Sequence, residues 1–121
     1  MEDAAGYKKL IVWQKADELV VAIYHLTQLF PRSEIFALTS QIRRAAISVA
    51  TNIVEGYARN SKSEFRRFIV ISLGSLAEVK YLLSIAYRLR YMTEKKYHEI
   101  MELAEITGQL LWKFYRSLMT S

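Results

Sequence analysis

Apolar side chains in this sequence recur at spacings of three and four residues, which is the period of a helix that buries one face. The first such run predicts a helix from about Leu10 to Phe30 that is stopped by Pro31, because proline lacks the N–H needed to continue it. The seam of this helix consists of Trp13, Ala16, Val20, Ile23, Thr27 and Phe30. The pattern therefore indicates one amphipathic helix at the start of the chain.

The rest of the chain predicts three more helices of the same kind, at about residues 38–59, 62–91 and 94–118. Ser61 and Glu64 have capping-box spacing at the start of the third helix, and Thr93 is suited to cap the fourth. No stretch alternates with period two, so no strand is expected. Short connections favour antiparallel neighbours, so the sequence predicts an all-α, up-down-up-down four-helix bundle. Residues 10–121 would form this single domain, after an N-terminal tail at residues 1–9.

The second and third predicted helices carry more apolar surface than one bundle can bury. Apolar and small residues cover well over half the circumference of the second helix, and the third is apolar on nearly all sides. We therefore expect self-association through these two helices. The alternative is a marginal monomer with a sticky surface.

A polar strip on the second helix is the most specific local feature. It comprises Arg44, Ser48, Asn52 and Glu55, to which Glu78 of the third helix could be added. One interpretation is a structural hydrogen-bonded network that fixes the register of the two helices. The other is a contact surface for a ligand or a nucleic acid.

The composition and the spacing of a few residue types exclude several kinds of chemical site. The chain of 121 residues has no cysteine, so it has neither disulfides nor a thiolate nucleophile. His25 and His98 both lack the carboxylate three residues earlier that di-iron bundles use. The glycines are scattered, so no phosphate-binding loop is present. The sequence therefore predicts no enzyme, no metal site and no cofactor.

Charge placement suggests a polyanion as a partner. Lys and Arg number 17 against 12 Asp and Glu, which gives a net charge of +5. An antiparallel bundle would place basic residues at both ends and acidic ones in the middle. At one end the candidate nucleic-acid-binding residues are Arg59, Lys62, Arg66 and Arg67. Repetition in an oligomer would turn this end into a basic ring suited to RNA or DNA phosphates.

The longest stretches without charge fall short of the roughly 20 apolar residues that a membrane span needs. The first residues are acidic and do not resemble a signal peptide. A cytoplasmic protein without a membrane partner is therefore expected.

The motif that runs from Gln41-Ile42-Arg43-Arg44 to Asn52-Ile53 and Glu55-Gly56 resembles a known family. It is similar to the four-helix bundle proteins encoded in intervening sequences of 23S ribosomal RNA genes. Ala37 departs from the family pattern, which often has glycine there. The resemblance implies a homopentamer. One relative is the accessory protein of diversity-generating retroelements, so the resemblance also implies nucleic-acid binding and a reverse transcriptase as partner. The alternative is a protein-interaction scaffold without nucleic-acid binding.

Overall fold

The computed structural model describes residues 5–120. Its four α-helices are α1 (Ile11–Thr27), α2 (Leu38–Tyr57), α3 (Lys62–Arg88) and α4 (Glu94–Ser117). Short 3-10 turns lie at Gly6–Lys9 and Arg32–Glu34, and the described chain contains no strand. The four predicted helices are thereby confirmed, with ends that differ by at most three residues.

The helices form a bundle in which each packs against two others. Consecutive helices are in contact, and α4 returns to pack against α1. The connections are short, so consecutive helices run in opposite directions. The core contains fully buried side chains from all four helices: Leu19, Ile23, Ile42, Val49, Ile53, Ile69, Val79, Leu83 and Leu111.

The predicted seams lie on the inside of the bundle. Ala16 and Ile23 of α1 are fully buried, as are Ala104 and Leu111 of α4. Leu89 lies within the range predicted for the third helix, but α3 ends at Arg88 and this side chain is 51% exposed.

Helix α1 ends three residues before the predicted Phe30. Beyond Thr27 the backbone hydrogen bonds span three residues in place of four. Leu29 N–H donates to Leu26 O, and Phe30 N–H donates to Thr27 O. Arg43 of α2 stabilises this end. Its Nε donates to Thr27 Oγ1 at 2.8 Å, and its guanidinium lies 4.5 Å from the centre of the Tyr24 ring. The one charge within the apolar arc of α2 is thus paired with the C-terminus of α1.

The caps predicted for α3 and α4 are confirmed. Ser61 Oγ accepts from Glu64 N–H at 3.1 Å, and Thr93 Oγ1 accepts from Lys96 N–H at 3.2 Å. These bonds satisfy helix N–H groups that have no partner within their own helix.

The connection between α1 and α2 is fixed by Glu34. One carboxylate oxygen accepts from Leu38 N–H at 3.2 Å and the other from the Tyr91 hydroxyl at 2.7 Å. The hydrogen bond to Glu34 raises the pKa of Tyr91 above its usual value, because the bond favours the protonated hydroxyl. The carboxylate therefore ties the start of α2 to the end of α3.

The segment that was expected to be a tail packs on the bundle where the structure describes it. Gly6 is buried against Tyr57, and the Tyr7 ring meets Trp13 edge-to-face at 5.0 Å. Residues 1–4 of that expected tail lie outside the described residues.

Helix α3 is long and apolar enough to cross a membrane, judged by length and composition alone. Charged residues interrupt its apolar sequence, so no uncharged stretch of the chain indicates a span of this length. A core helix of a soluble protein meets the same two criteria, and α3 packs against α2 and α4.

Candidate functional surfaces

An apolar stripe follows the side of α3 that faces away from the core. Val70 is 52% and Tyr81 62% exposed, and the small residues Gly74 and Ala77 lie between them on the same face. A Cβ added at Gly74 would meet no atom within 4 Å, so packing within the chain does not require glycine there. We call Val70, Gly74, Ala77 and Tyr81 the α3 stripe.

Helix α2 is less apolar on its outside than the sequence suggested. Its wide apolar arc is divided between the core and the contacts with α1 and α3, which leave Ile47 as its one exposed large apolar side chain, at 40%. The outward strip of α2 comprises Arg44, Ile47, Thr51 and Glu55. A helix with two bundle neighbours buries more than one stripe, so a wide apolar arc on α2 is accommodated within one chain.

The structure brings together part of the predicted polar network. Ser48 Oγ lies 2.7 Å from Ser75 Oγ, and Asn52 Nδ2 donates to the carbonyl and hydroxyl oxygens of Ser48 at 2.8 and 3.0 Å. Glu78 forms a separate bond between the two helices, in which its carboxylate accepts from Gln41 Nε2 at 3.3 Å. These bonds connect α2 to α3.

Two further members of the predicted network lie apart from all of these bonds. Arg44 and Glu55 are exposed, and neither has a hydrogen bond or an ion pair within the described chain. Their helical positions turn them outward from the α2–α3 contact. Arg59 lies one helical turn after Glu55 but does not pair with it in the described chain, and its guanidinium lies 4.8 Å from the centre of the Phe68 ring.

The structure places the four candidate nucleic-acid-binding residues at the same end of the bundle, in two pairs. Lys62 Nζ donates to Thr120 O at 2.9 Å, and one Arg66 terminal nitrogen donates to Leu118 O at 2.7 Å. These two cations therefore stabilise the C-terminal end of α4, where the helix dipole is negative. Each keeps further N–H donors for another anion.

Arg59 and Arg67 form the second pair. Both lie over the ring of Phe68, at 4.8 and 5.7 Å from its centre, and both side chains are exposed. Phe68 itself is 7% exposed, so it is a core residue that the two arginines cover and not a stacking platform.

Sequence reasoning missed Phe36, which is 95% exposed in the α1–α2 connection. It borders an open polar cleft of about 540 Å³ between α2 and α3, which Arg44 and Glu78 also line. A side chain outside the periodic segments gives no helical signal, so only the fold reveals its exposure.

Within residues 5–120 no three His, Asp or Glu side chains come close enough to hold a metal ion. His98 lies 3.8 Å from Glu94 on the surface of α4, and His25 lies beside a groove between α1 and α4.

The structure is that of an antiparallel four-helix bundle with an apolar stripe on the outer face of α3. Residues 8–113 match the family described as 23S rRNA-intervening sequence protein, and the chain belongs to this family. The fold is similar to that of a protein with unknown function from the S23 ribosomal protein family of Bacteroides thetaiotaomicron VPI-5482. The two chains are 26% identical with a TM-score of 0.81, over 87% of this chain and 98% of that one. Among curated proteins none matches this chain.

Proposed function

We propose that this protein is a non-enzymatic, cytoplasmic four-helix bundle that assembles into a homopentamer and binds RNA or DNA through a basic end. The α3 stripe carries the self-assembly, because Val70 and Tyr81 are more than half exposed on a helix whose opposite face already fills the core. Contiguous exposed apolar surface is typical of an interface. Family membership supports the number five, since the resemblance implies homopentamers. If a second copy covers the exposed apolar side of α3, that side needs no membrane to cover it, and the proposal therefore includes no membrane partner.

The self-assembly is tested by light scattering on wild type and on Val70→Asp. A charge buried in an interface is costly, so we expect wild type to have the mass of a pentamer and Val70→Asp to dissociate. Lys113→Asp is the control, because Lys113 is exposed on α4 away from the stripe. A wild-type protein of monomer mass at micromolar concentration would contradict the proposal.

The nucleic-acid binding is supported by the cluster of Arg59, Lys62, Arg66 and Arg67 around the α2–α3 turn. None of these cations is paired with a carboxylate in the described chain. Five copies would combine their charges at one end, and phosphate contacts release counterions. The cluster offers no exposed aromatic ring, because Phe68 is buried beneath it, so little base preference is expected.

Fluorescence anisotropy with short RNA and DNA at two salt concentrations tests this binding. Changing the four residues to alanine should weaken binding and reduce the salt slope by roughly 3–4, if each cation contacts one phosphate. The control changes Arg32, Arg88, Lys95 and Lys96 to alanine at the other end, which removes the same charge and should leave most binding. Equal affinity in the fourfold variant and wild type, or no binding at low salt, would contradict the proposal.

A protein-interaction scaffold is the second candidate, and the same α3 stripe favours it. A helical partner, such as a segment of a reverse transcriptase, would then cover Val70 and Tyr81 in place of a second copy. A monomeric wild type without nucleic-acid affinity would favour this function.

A further inference from the structure

The outward surfaces of α2 and α3 have complementary charges when they are compared at the same height along the bundle. The hydrogen bonds between the two antiparallel helices fix that height. Gln41 is bonded to Glu78, Ser48 to Ser75, and Ser72 Oγ to Val49 O at 2.7 Å. By interpolation, Arg44 lies level with Glu78 and Glu55 lies level with Arg67.

The outward strip of α2 therefore has a cation near one end and an anion near the other. The corresponding surface of α3 has Glu78 level with the cation and Arg67 level with the anion. Between the charges, α2 has Ile47 and Thr51, while α3 has the apolar and small residues of its stripe. The two surfaces belong to neighbouring helices of one chain. Arg44 and Glu78 line the same cleft there without forming an ion pair, and Glu55 and Arg67 form none in the described chain either.

The charges involved have few partners of their own. Arg44 and Glu55 have no hydrogen bond or ion pair in the described chain. The Arg67 guanidinium lies over the Phe68 ring, 5.7 Å from its centre, and has no carboxylate partner there. Glu78 has one bond, a 3.3 Å contact with Gln41. These side chains are thus free to pair with another molecule.

We propose that the occupant of the α3 stripe is the outward strip of α2 from a second copy, with Glu55 paired to Arg67 and Arg44 paired to Glu78. This inference rests on the proposed self-assembly and adds the two surfaces and their register. It assigns Arg67 to the interface, which leaves Arg59, Lys62 and Arg66 of the basic end for phosphate. In a ring whose axis runs along the helices, neighbouring copies stand at equal height, so residues at the same level face each other. Gly74 and Ala77 then allow the neighbouring α2 backbone to approach closely.

The geometry of the bundle is compatible with closure of such a ring. Neighbouring helices of a square bundle face outward in directions about 90° apart. A heterologous contact closes into four or five copies when its two surfaces are about 90° or 108° apart. Using α2 on one side and α3 on the other therefore gives a small closed ring, whereas pairing α3 with α3 would stop at a dimer.

Reciprocal charge reversal tests the pairing. The variants are Glu55→Arg, Arg67→Glu and the double variant with both changes, analysed by light scattering at low salt. Each single variant places like charges opposite each other, which is unfavourable across an interface. We expect at least a tenfold weaker association for each single variant and recovery to wild-type mass in the double variant. Circular dichroism verifies that each variant folds, and these exposed positions tolerate either charge.

Glu102→Arg and Lys113→Glu are matched controls, because they make the same charge changes at exposed positions on α4. They should keep the wild-type mass. An oligomeric wild type whose mass is unaffected by the single reversals, or a double variant no better than either, would overturn the pairing and leave self-assembly standing. A monomeric wild type would overturn the self-assembly and the pairing together.

Discussion

At the residue scale, Arg90 shows how α3 is terminated without glycine. Its φ of 65° lies in the left-handed region, where the Cβ of a non-glycine residue is unfavourable. Arg90 N–H donates to Tyr87 O and Tyr91 N–H donates to Ala86 O, both at 2.9 Å, which is the Schellman arrangement at a helix C-terminus. The sequence did not indicate the end of α3, because the left-handed position that glycine usually occupies is held by Arg90.

Replacing Arg90 with glycine should therefore stabilise the protein by about 0.5–1 kcal/mol, since glycine adopts this conformation without the Cβ penalty. Urea unfolding measures the change. Arg88→Gly is the control, because Arg88 is the last residue of α3 and a glycine there should be neutral or destabilising. A loss of stability in Arg90→Gly would mean that the arginine side chain contributes more than the backbone conformation costs.

At the element scale, α2 and α3 approach each other closely at Gly56. A Cβ there would lie 2.5 Å from Phe65 Cδ1 and 3.0 Å from Phe68 Cβ. The Phe65 ring has little freedom to move, because it packs edge-to-face on Phe114 at 5.0 Å and on Tyr57 at 6.4 Å. Glycine at this position therefore allows the two helices to pack at their observed distance.

Gly56→Ala should destabilise the protein by about 1–3 kcal/mol, because the added methyl group overpacks the contact. Thermal and urea unfolding measure the loss. Phe65→Leu combined with Gly56→Ala should lose less than the sum of the two single changes, since the smaller side chain makes room. Additive losses would show that the clash with Phe65 is not the cause.

The end of α4 is a second element-scale feature, since Lys62 and Arg66 donate to the carbonyls of Thr120 and Leu118. Changing both to alanine should destabilise the fold by about 1–2 kcal/mol, because charge-assisted bonds at a helix C-terminus are lost. Arg59→Ala with Arg67→Ala removes the same charge without touching α4 and should cost less. Differential scanning calorimetry compares the pairs; equal losses would contradict the capping role.

Helical periodicity predicted the four elements because each helix repeats its apolar seam over several turns. The end of α1 was predicted less well, since it depends on a contact between helices: Arg43 of α2 donates to Thr27, the last residue of α1. The candidate site was also predicted in part. Ser48 and Asn52 meet because they lie one turn apart, whereas the outward direction of Arg44 and Glu55 depends on where α3 packs. Phe36 lies in a connection, where no periodicity indicates burial.

At the scale of the whole molecule, the inferred contact makes copies of the chain directional, because α2 of each copy binds α3 of the next. Such heterologous contacts either close into a ring or continue as a filament. The charge variants can distinguish rings with an even number of copies from rings with an odd number. A Glu55→Arg chain and an Arg67→Glu chain each repel their own kind, yet each presents the charge that the other needs.

Mixing the two single variants in equal amounts should therefore produce alternating chains. Alternation closes a ring with an even number of copies, but in a ring of five, two like chains must meet and place like charges face to face. Native mass spectrometry should thus find fewer closed pentamers in the mixture than in the double variant Glu55→Arg/Arg67→Glu, where every contact is matched. Closed rings of four or six alternating chains in the mixture, together with the same even number in wild type, would contradict the pentamer while supporting the pairing of Glu55 with Arg67.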